Sequence, residues 1–173
     1  SNYELGLGKG TPDELWRNKG GKFEREFLPD SNPSRGIALA DCDGDGDVDL
    51  YVAGYRLRPN HLWLNDGKGH LGDSALAWGL AGRRRWDYWG HSIGPRWGDP
   101  DGDGDLDLIV PNLAHPRYID FSQPTVFYER LGQGLYQEDD LGLEFDECHA
   151  WAAWGDFDND GDLDLYITSV YPH

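Results

Sequence analysis

Apolar residues recur along the chain in short runs that are bounded by glycine and acidic residues. Three small apolar runs, 36–40, 92–98 and 150–155, each precede an aspartate-rich segment. A second run follows each segment and reads Leu-Tyr-Val-Ala, Leu-Ile-Val-Pro or Leu-Tyr-Ile-Thr, which is typical of β-strands. Runs of this length between turn residues predict short strands and an all-β chain.

Each repeat carries two further predicted strands around a turn that contains glycine, the residue that supplies the positive φ of tight hairpins. The third strands are predicted at 13–17, 60–64 and 125–129, and the fourth at 22–26, 70–73 and 135–138. Four antiparallel strands in a repeat of this length predict a blade of a β-propeller. The first strand is rich in Gly and Ala, as expected where blades crowd near an axis. The core between blades is expected to contain Trp16, Trp63, Trp97 and Trp154.

The acidic segments share the pattern D-x-D-x-D-G-x-x-D and begin at residues 41, 99 and 156. Carboxylates at positions 1, 3 and 5 converge when the backbone wraps, and the glycine at position 6 permits the sharp turn. The carbonyl of position 7 can face inward and position 9 can close the shell, which gives the hard oxygen ligands that Ca²⁺ prefers. Three calcium sites are therefore predicted, with these residues: Asp41, Asp43, Asp45, Asp47 and Asp49; Asp99, Asp101, Asp103, Asp105 and Asp107; Asp156, Asp158, Asp160, Asp162 and Asp164.

Two other interpretations of these segments are weaker. An EF-hand needs Glu at position 12, where this chain has Val52, Val110 and Ile167. An acidic, solvated turn would place five like charges within nine residues, and they repel strongly without a cation among them.

The chain has 173 residues, enough for one domain with a core, and a formal net charge of −17. Three bound Ca²⁺ would change that charge to −11 (−17 + 3 × 2), so nucleic acid and anionic membranes are poor partners. The sequence has no long apolar run that would span a membrane. Its two cysteines, Cys42 and Cys148, are expected to be unpaired with each other. Millimolar Ca²⁺ outside cells favours an extracellular, cell-surface or periplasmic location.

The phase of the repeats predicts two complete blades between two half-blades. Residues 1–33 would form strands three and four of a blade, and 34–90 a full blade with the loop 41–49. Residues 91–147 would form a full blade with the loop 99–107, and 148–173 strands one and two with the loop 156–164. About three blade-equivalents make a partial propeller. We therefore expect a longer chain or a multi-chain assembly, including the head-to-tail pairing of two copies.

The pattern of a small strand, the aspartate segment and then N-x-L-W-x-N-x-G-x-G resembles the FG-GAP/VCBS repeats of integrin α-subunit propellers and many bacterial exported proteins. The stretch 153–167 is most similar to the branch that contains cartilage acidic protein and the bacterial ASPIC/UnbV proteins. The resemblance implies a calcium-binding propeller that acts in adhesion-type recognition. It departs from integrin propellers, which have seven blades, and nothing here matches the separate C-terminal domain of the ASPIC/UnbV branch.

The connections from strand two to three and from strand four to one lie opposite the aspartate segments, because strands alternate in direction. Arginine beside Trp and Tyr in these connections is typical of recognition surfaces for an acidic protein or an anionic glycan. The predicted ligand-binding residues are Arg56, Arg58, Arg83, Arg84, Arg85, Trp86, Trp89 and Arg117. Alternatively, these arginines pair with local acids such as Asp87 and Asp120. No catalytic motif is present, so binding is favoured over an enzyme with a site at the axis, where His91 and His149 could lie.

Overall fold

The computed structural model describes residues 11–29, 32–113, 123–139 and 149–170, and these residues form β-strands, turns and loops without a helix. Every pair of strands within a sheet is antiparallel. The strands are β1 (Glu14–Lys19), β2 (Lys22–Phe27), β3 (Ser34–Ala40), β4 (Asp49–Gly54), β5 (His61–Asn65), β6 (Leu71–Asp73), β7 (Arg96–Gly98), β8 (Asp107–Val110), β9 (Val126–Gly132), β10 (Leu135–Asp139), β11 (His149–Gly155) and β12 (Asp164–Ser169).

The strands form four sheets that follow one another along the chain. They contain two strands (β1-β2), four (β3-β4-β5-β6), four (β7-β8-β9-β10) and two (β11-β12). Each four-stranded sheet is a meander in which neighbouring strands are joined in sequence order. This all-β arrangement is consistent with part of a β-propeller, as the repeat pattern predicts.

The first strands of successive sheets lie against one another at their closest approach. A Cβ atom on Gly36 of β3 would overlap the carbonyl oxygen of Ile93, which precedes β7. Gly94 in turn forms a parallel bridge with Trp151 of β11. Gly36 is therefore required by neighbouring backbone, and a Cβ on Gly94 would overlap both the ring of Trp151 and the carbonyl oxygen of Ala150.

The strand β7 is shorter than the sequence indicates, because regular pairing covers only Arg96–Gly98 of the predicted run 92–98. Pro95 lies directly before it and has no N–H to donate to a ladder. Ser92 still forms an isolated antiparallel bridge with Asn112.

Three apolar clusters join the four sheets face to face. The first, between β1-β2 and the second sheet, contains Leu28, Val52 and Trp63. The largest lies between the two four-stranded sheets and is built around Tyr51 and Tyr128. The third, with Ile109 and Phe127, joins the third sheet to β11-β12.

The four tryptophans that were expected between sheets do not share one environment. Trp63 is buried in the first cluster. Trp97 packs against the largest cluster, and Trp154 packs against the third. Trp16 is instead 51% exposed, which contradicts the expectation. It lies on the face of β1-β2 that also carries Arg25, and the guanidinium of Arg25 sits 5.8 Å from its ring centroid.

Candidate functional site

Three aspartate loops, defined as 41–49, 99–107 and 156–164, connect the first and second strands of three successive sheets. Their backbones turn in the same way, because an oxygen of the first aspartate accepts a hydrogen bond from the N–H of the sixth residue. The distances are 2.9 Å from Gly46 to Asp41, 3.0 Å from Gly104 to Asp99 and 3.1 Å from Gly161 to Asp156. The three glycines have φ of 94°, 92° and 101°, which favours glycine at this turn.

Each loop brings three carboxylates together, with one oxygen of each lying within 4.8 Å of the others. Like charges at this separation repel unless a cation or proton offsets them. The groups are Asp41, Asp43 and Asp45; Asp99, Asp101 and Asp103; and Asp156, Asp158 and Asp164.

In the first two loops, the ninth aspartate does not belong to the group of three converging carboxylates. Asp49 is 1% exposed, and its Oδ1 accepts the N–H of Asn65 at 2.9 Å. Its Oδ2 accepts the N–H of Cys42 at 3.0 Å and faces the Cys42 thiol at 3.1 Å. In the second loop, Asp107 Oδ1 accepts the N–H of Arg130 at 2.8 Å. Both carboxylates therefore connect their loop to the third strand of the same sheet.

The third loop lacks that connection among the described residues, because β12 pairs only with β11. Asp164 is exposed and belongs to the carboxylate group of its loop. Its Oδ2 accepts the N–H of Phe157 at 2.9 Å, as Asp49 does from Cys42. The second loop has Pro100 at this position, which provides no N–H.

The seventh aspartates lie beside these groups. The N–H groups of Asp47, Asp105 and Asp162 donate to the carboxylate two residues earlier, at 2.9, 2.8 and 3.0 Å. The side chain of Asp105 forms an ion pair with Arg130, Nη1 to Oδ1 at 3.2 Å. The sequence did not identify Arg130 as part of this site. Arg130 occupies the same position in the third strand of its sheet as Asn65 does in β5, and that equivalence could have indicated its contact with the loop.

Burial and crowding change the proton affinities of several groups in the first two loops. Burial raises the pKa of Asp107 to about 6, the N–H of Arg130 opposes this rise, and the carboxylates of Asp101 and Asp103 add to it. Burial also raises the pKa of Asp43 above its usual value. The pKa of the Cys42 thiol is raised well above its usual range, first by burial and then by its hydrogen bond to Asp49.

The donor atoms in all three loops fit a hard divalent cation. Each loop supplies at least three carboxylates, and oxygen ligands of this kind suit Ca²⁺. In the second loop, Asp99 Oδ1 is buried and has no hydrogen-bond partner among the described residues. A cation would satisfy that oxygen, because a buried polar atom without a partner is costly.

The arginine loops, 54–60 and 81–91, lie at the opposite ends of the strands. They contact each other through backbone hydrogen bonds from Asn60 to Ala81 at 3.0 Å and from Trp89 to Leu57 at 3.2 Å. Arg56, Arg83, Arg84, Arg85 and Trp86 are exposed there. Arg58 and Trp89 are half-buried, and Trp89 packs against the largest cluster. Arg117, Asp120 and Cys148 lie outside the described residues.

Several arginines of these loops have local partners. Arg84 pairs with Asp87 at 3.0 Å, as the alternative interpretation expects, and Arg83 pairs with Glu138. The guanidinium of Arg85 lies 5.2 Å from the ring centroid of Trp86. Three non-glycine residues here, Arg56, Leu57 and Trp86, have positive φ, a conformation that costs energy and often occurs at binding sites.

The two histidines near the first strands do not join a metal-ligating group among the described residues, where all such groups consist of aspartates. His149 is buried, and its Nδ1 lies 2.9 Å from Thr125 Oγ1. The ring of His91 packs edgewise on Tyr55, with centroids 5.3 Å apart.

Comparison with known families gives one match. Residues 41–110 match the family model described as FG-GAP-like repeat. The matched stretch begins at the first aspartate loop and ends with β8, so it includes β4, β5 and β6 of the second sheet and the second aspartate loop, but not β3. No curated protein matches the chain. Across the described part of the chain, no helix is long and apolar enough to cross a membrane.

The match and the sheets together define the class of structure. A stretch of the chain is similar to the FG-GAP-like repeat, and the described residues form an all-β series of sheets consistent with part of a propeller. Modules of this type often act in adhesion or recognition.

Proposed function

We propose that this chain is a calcium-stabilised β-propeller module of an exported protein and that it acts by binding. The observation that carries the proposal is the recurrence of three converging carboxylates at one place in three sheets. One acidic group alone is common on protein surfaces. Three acidic groups with the same backbone turn, each between a first and a second strand, support binding of the same kind of ligand in each loop.

The proposed role of Ca²⁺ is structural. Bound in a loop, the ion supplies two positive charges that offset carboxylate repulsion. The proposed ligands are the carboxylates grouped in each loop, with the carbonyls of Asp47, Asp105 and Asp162 in addition. Asp49 and Asp107 hold their loops against the third strand through backbone N–H groups. The loops thereby fix the turn between the first two strands of the second, third and fourth sheets.

Calcium should raise the melting temperature of the protein. Saturation at about 100 times Kd stabilises by roughly 2.7 kcal/mol per site when the unfolded chain does not bind. Replacing Asp41, Asp99 and Asp156 together with Asn should abolish the difference between melts in calcium and in chelator. Titration calorimetry should show one ion per loop in the wild type.

The matched control replaces Glu24 with Gln, Asp66 with Asn and Asp87 with Asn, so that the same three negative charges are lost outside the loops. This variant should retain the calcium-dependent shift. A wild-type melting temperature that is equal in calcium and chelator would contradict the structural role of calcium.

The proposed recognition surface is formed by the arginine loops. It is supported by the exposed guanidinium groups beside Trp86, a side chain that is 68% exposed, and by the positive φ values of these loops. Arginine can pair bidentately and stack, and Trp offers a large apolar area. The proposed partner is an acidic protein or an anionic glycan.

The recognition proposal is tested with heparin as the anionic glycan, in calcium at physiological salt. Replacing Arg83, Arg84 and Arg85 with Ala should weaken binding by roughly tenfold or more, since interface arginines often contribute more than ~1 kcal/mol each. The control replaces Lys19, Arg25 and Lys68 with Ala, which removes equal charge elsewhere. Equal effects of the two variants would show that the binding depends on charge alone and would contradict this surface.

We place the protein outside the cell, at the cell surface or in the periplasm, where calcium is available at millimolar levels. Binding is favoured over an enzymatic role because the sequence carries no catalytic motif, and the histidines near the first strands contact Thr125 and Tyr55. Membership of a longer chain or a multi-chain assembly is part of the proposal.

A further inference from the structure

The second aspartate loop is in direct contact with an arginine, Arg130 of β9. The side chain of Arg130 is only 9% exposed, and its Nη1 lies 3.2 Å from Oδ1 of Asp105, the seventh residue of the loop. A buried charge is costly unless it is paired, so this guanidinium is held at the loop by the carboxylate.

The first loop has an uncharged residue at the same place. Arg130 and Asn65 both donate their backbone N–H to the ninth aspartate of their loop, at 2.8 and 2.9 Å. The Asn65 side chain donates to the carbonyl of Val48 at 3.3 Å and brings no charge. Among the described residues, the seventh aspartates of the first and third loops, Asp47 and Asp162, form no ion pair.

The charge that a cation meets therefore differs between the loops. Each loop contains five aspartates and so carries a formal charge of −5, which Arg130 changes to −4 (−5 + 1) in the second loop. A cation is attracted less strongly by the second loop, because one of the nearby charges repels it. The affinity of a loop of oxygen ligands for Ca²⁺ depends on the charge of those ligands.

The same arginine connects the second loop to its sheet through contacts that need no cation. Its N–H binds Asp107 and its guanidinium binds Asp105. Between these two residues, the carbonyl of Leu106 accepts the hydroxyl of Tyr136 in β10 at 2.9 Å. Three consecutive residues of the loop are thereby attached to β9 and β10.

Arg130 does not take the place of a cation in this loop. It pairs with Asp105, which lies outside the converging group of Asp99, Asp101 and Asp103. Within that group, Oδ1 of Asp99 is buried and has no hydrogen-bond partner among the described residues. The guanidinium therefore offsets part of the carboxylate repulsion and leaves the converging oxygens available.

We propose that Arg130 sets the calcium affinity of the second loop below that of the first and holds the second loop in shape when no calcium is bound. This inference rests on the proposed function, because it requires that the loops bind Ca²⁺. Both effects have one cause. The guanidinium offsets repulsion that the ion would otherwise offset, so the ion gains less free energy by binding. As the calcium concentration falls, the second loop releases its ion before the first.

The test measures calcium binding to the whole 173-residue chain by titration calorimetry at physiological salt. A parent variant with Asp41→Asn and Asp156→Asn lacks the first carboxylate of the other two loops, so its binding heat comes from the second loop. Adding Arg130→Asn, which supplies the type of side chain found in the first loop, should lower Kd by at least about tenfold. Arg130→Lys keeps the charge and should bind within about threefold of the parent.

Melting of the chain with all three loops intact gives a second measurement. Arg130→Asn should lower the melting temperature in chelator, because the pair with Asp105 is lost and carboxylate repulsion increases. It should also widen the difference between melts in calcium and in chelator. The control is Arg25→Asn, since Arg25 lies in β2, pairs with Glu14 and is 49% exposed. This control should change neither the calcium affinity nor the difference between the melts.

The proposal is overturned if Arg130→Asn binds calcium as weakly as its parent or more weakly, or if the difference between the melts stays the same. Equal tightening by Arg130→Asn and Arg25→Asn would assign the effect to net charge and would also overturn it. Calcium binding by the wild type but by neither the parent nor Arg130→Asn would show that the second loop binds no ion, with the same consequence. A wild type that binds no calcium would instead contradict the proposed function itself.

Discussion

The ninth aspartate of each loop shows how one residue type acquires different roles from its neighbours. In the first two loops it accepts the N–H of Asn65 or Arg130 and holds the loop to the third strand. In the third loop it joins the group of converging carboxylates. The motif predicts which residues carry carboxylate oxygens that could bind a cation. It does not predict which oxygen is already occupied by a backbone N–H, because the third strand lies far away in sequence.

Asp107 should make the stability of the calcium-free protein depend on pH. Its pKa is about 6 in the folded protein, against an ordinary value of 3.8, so the folded state holds this proton more tightly than the unfolded state. The stabilisation from the proton is present at low pH and is lost as pH rises from about 4 through about 6. The full difference is on the order of 3 kcal/mol.

Replacing Asp107 with Asn removes the titration while the amide oxygen can still accept the N–H of Arg130. In calcium-free buffer, the free energy of unfolding of this variant relative to wild type should therefore rise between pH 4 and pH 7. Urea unfolding across that range measures it, with Asp87→Asn as the control for loss of one charge. Parallel pH curves for wild type and Asp107→Asn would show that this carboxyl titrates normally.

At the scale of elements, the strands and hairpins follow from local sequence, whereas the close contacts between strands of different sheets follow from packing. The predicted first strand 92–98 is shortened by Pro95 to three paired residues. The glycines of the first strands were expected from crowding, and Gly36 faces the backbone of Ile93. The sequence could indicate the need for a small residue but could not name the atom that requires it.

Replacing Gly36 with Ala should destabilise the protein by about 2 kcal/mol or more. The new Cβ would overlap a backbone carbonyl oxygen, so β3 would have to move away from the segment before β7. Thermal and urea unfolding measure the loss. Gly72 in β6 has no atom within 4 Å of a Cβ at that position, so Gly72→Ala should leave stability unchanged or slightly raised. Equal stabilities of the two variants would contradict the close packing of the first strands.

At the scale of the whole molecule, the burial of a residue depends on which sheet lies next to it. Tyr51 and Tyr166 occupy the same motif position, and only Tyr51 has a sheet against it. Trp16 and Trp63 differ for the same reason, which is why the expectation for Trp16 was wrong. Periodicity predicts the face of the sheet on which a side chain lies. Whether another sheet packs against that face depends on how distant parts of the chain are arranged.

The equivalence of the faces between successive sheets has an evolutionary consequence. Each sheet carries on one side the positions that receive its predecessor and on the other side the positions that receive its successor, as the three clusters show. The aspartate loops begin at residues 41, 99 and 156, so the repeating unit carries one loop and both faces. A duplication of that unit within a gene would add a sheet together with matching contacts. Such a chain could gain a repeat without compensating substitutions at the junctions, and the identical residues at equivalent positions, Tyr51 and Tyr166, fit an origin of this kind.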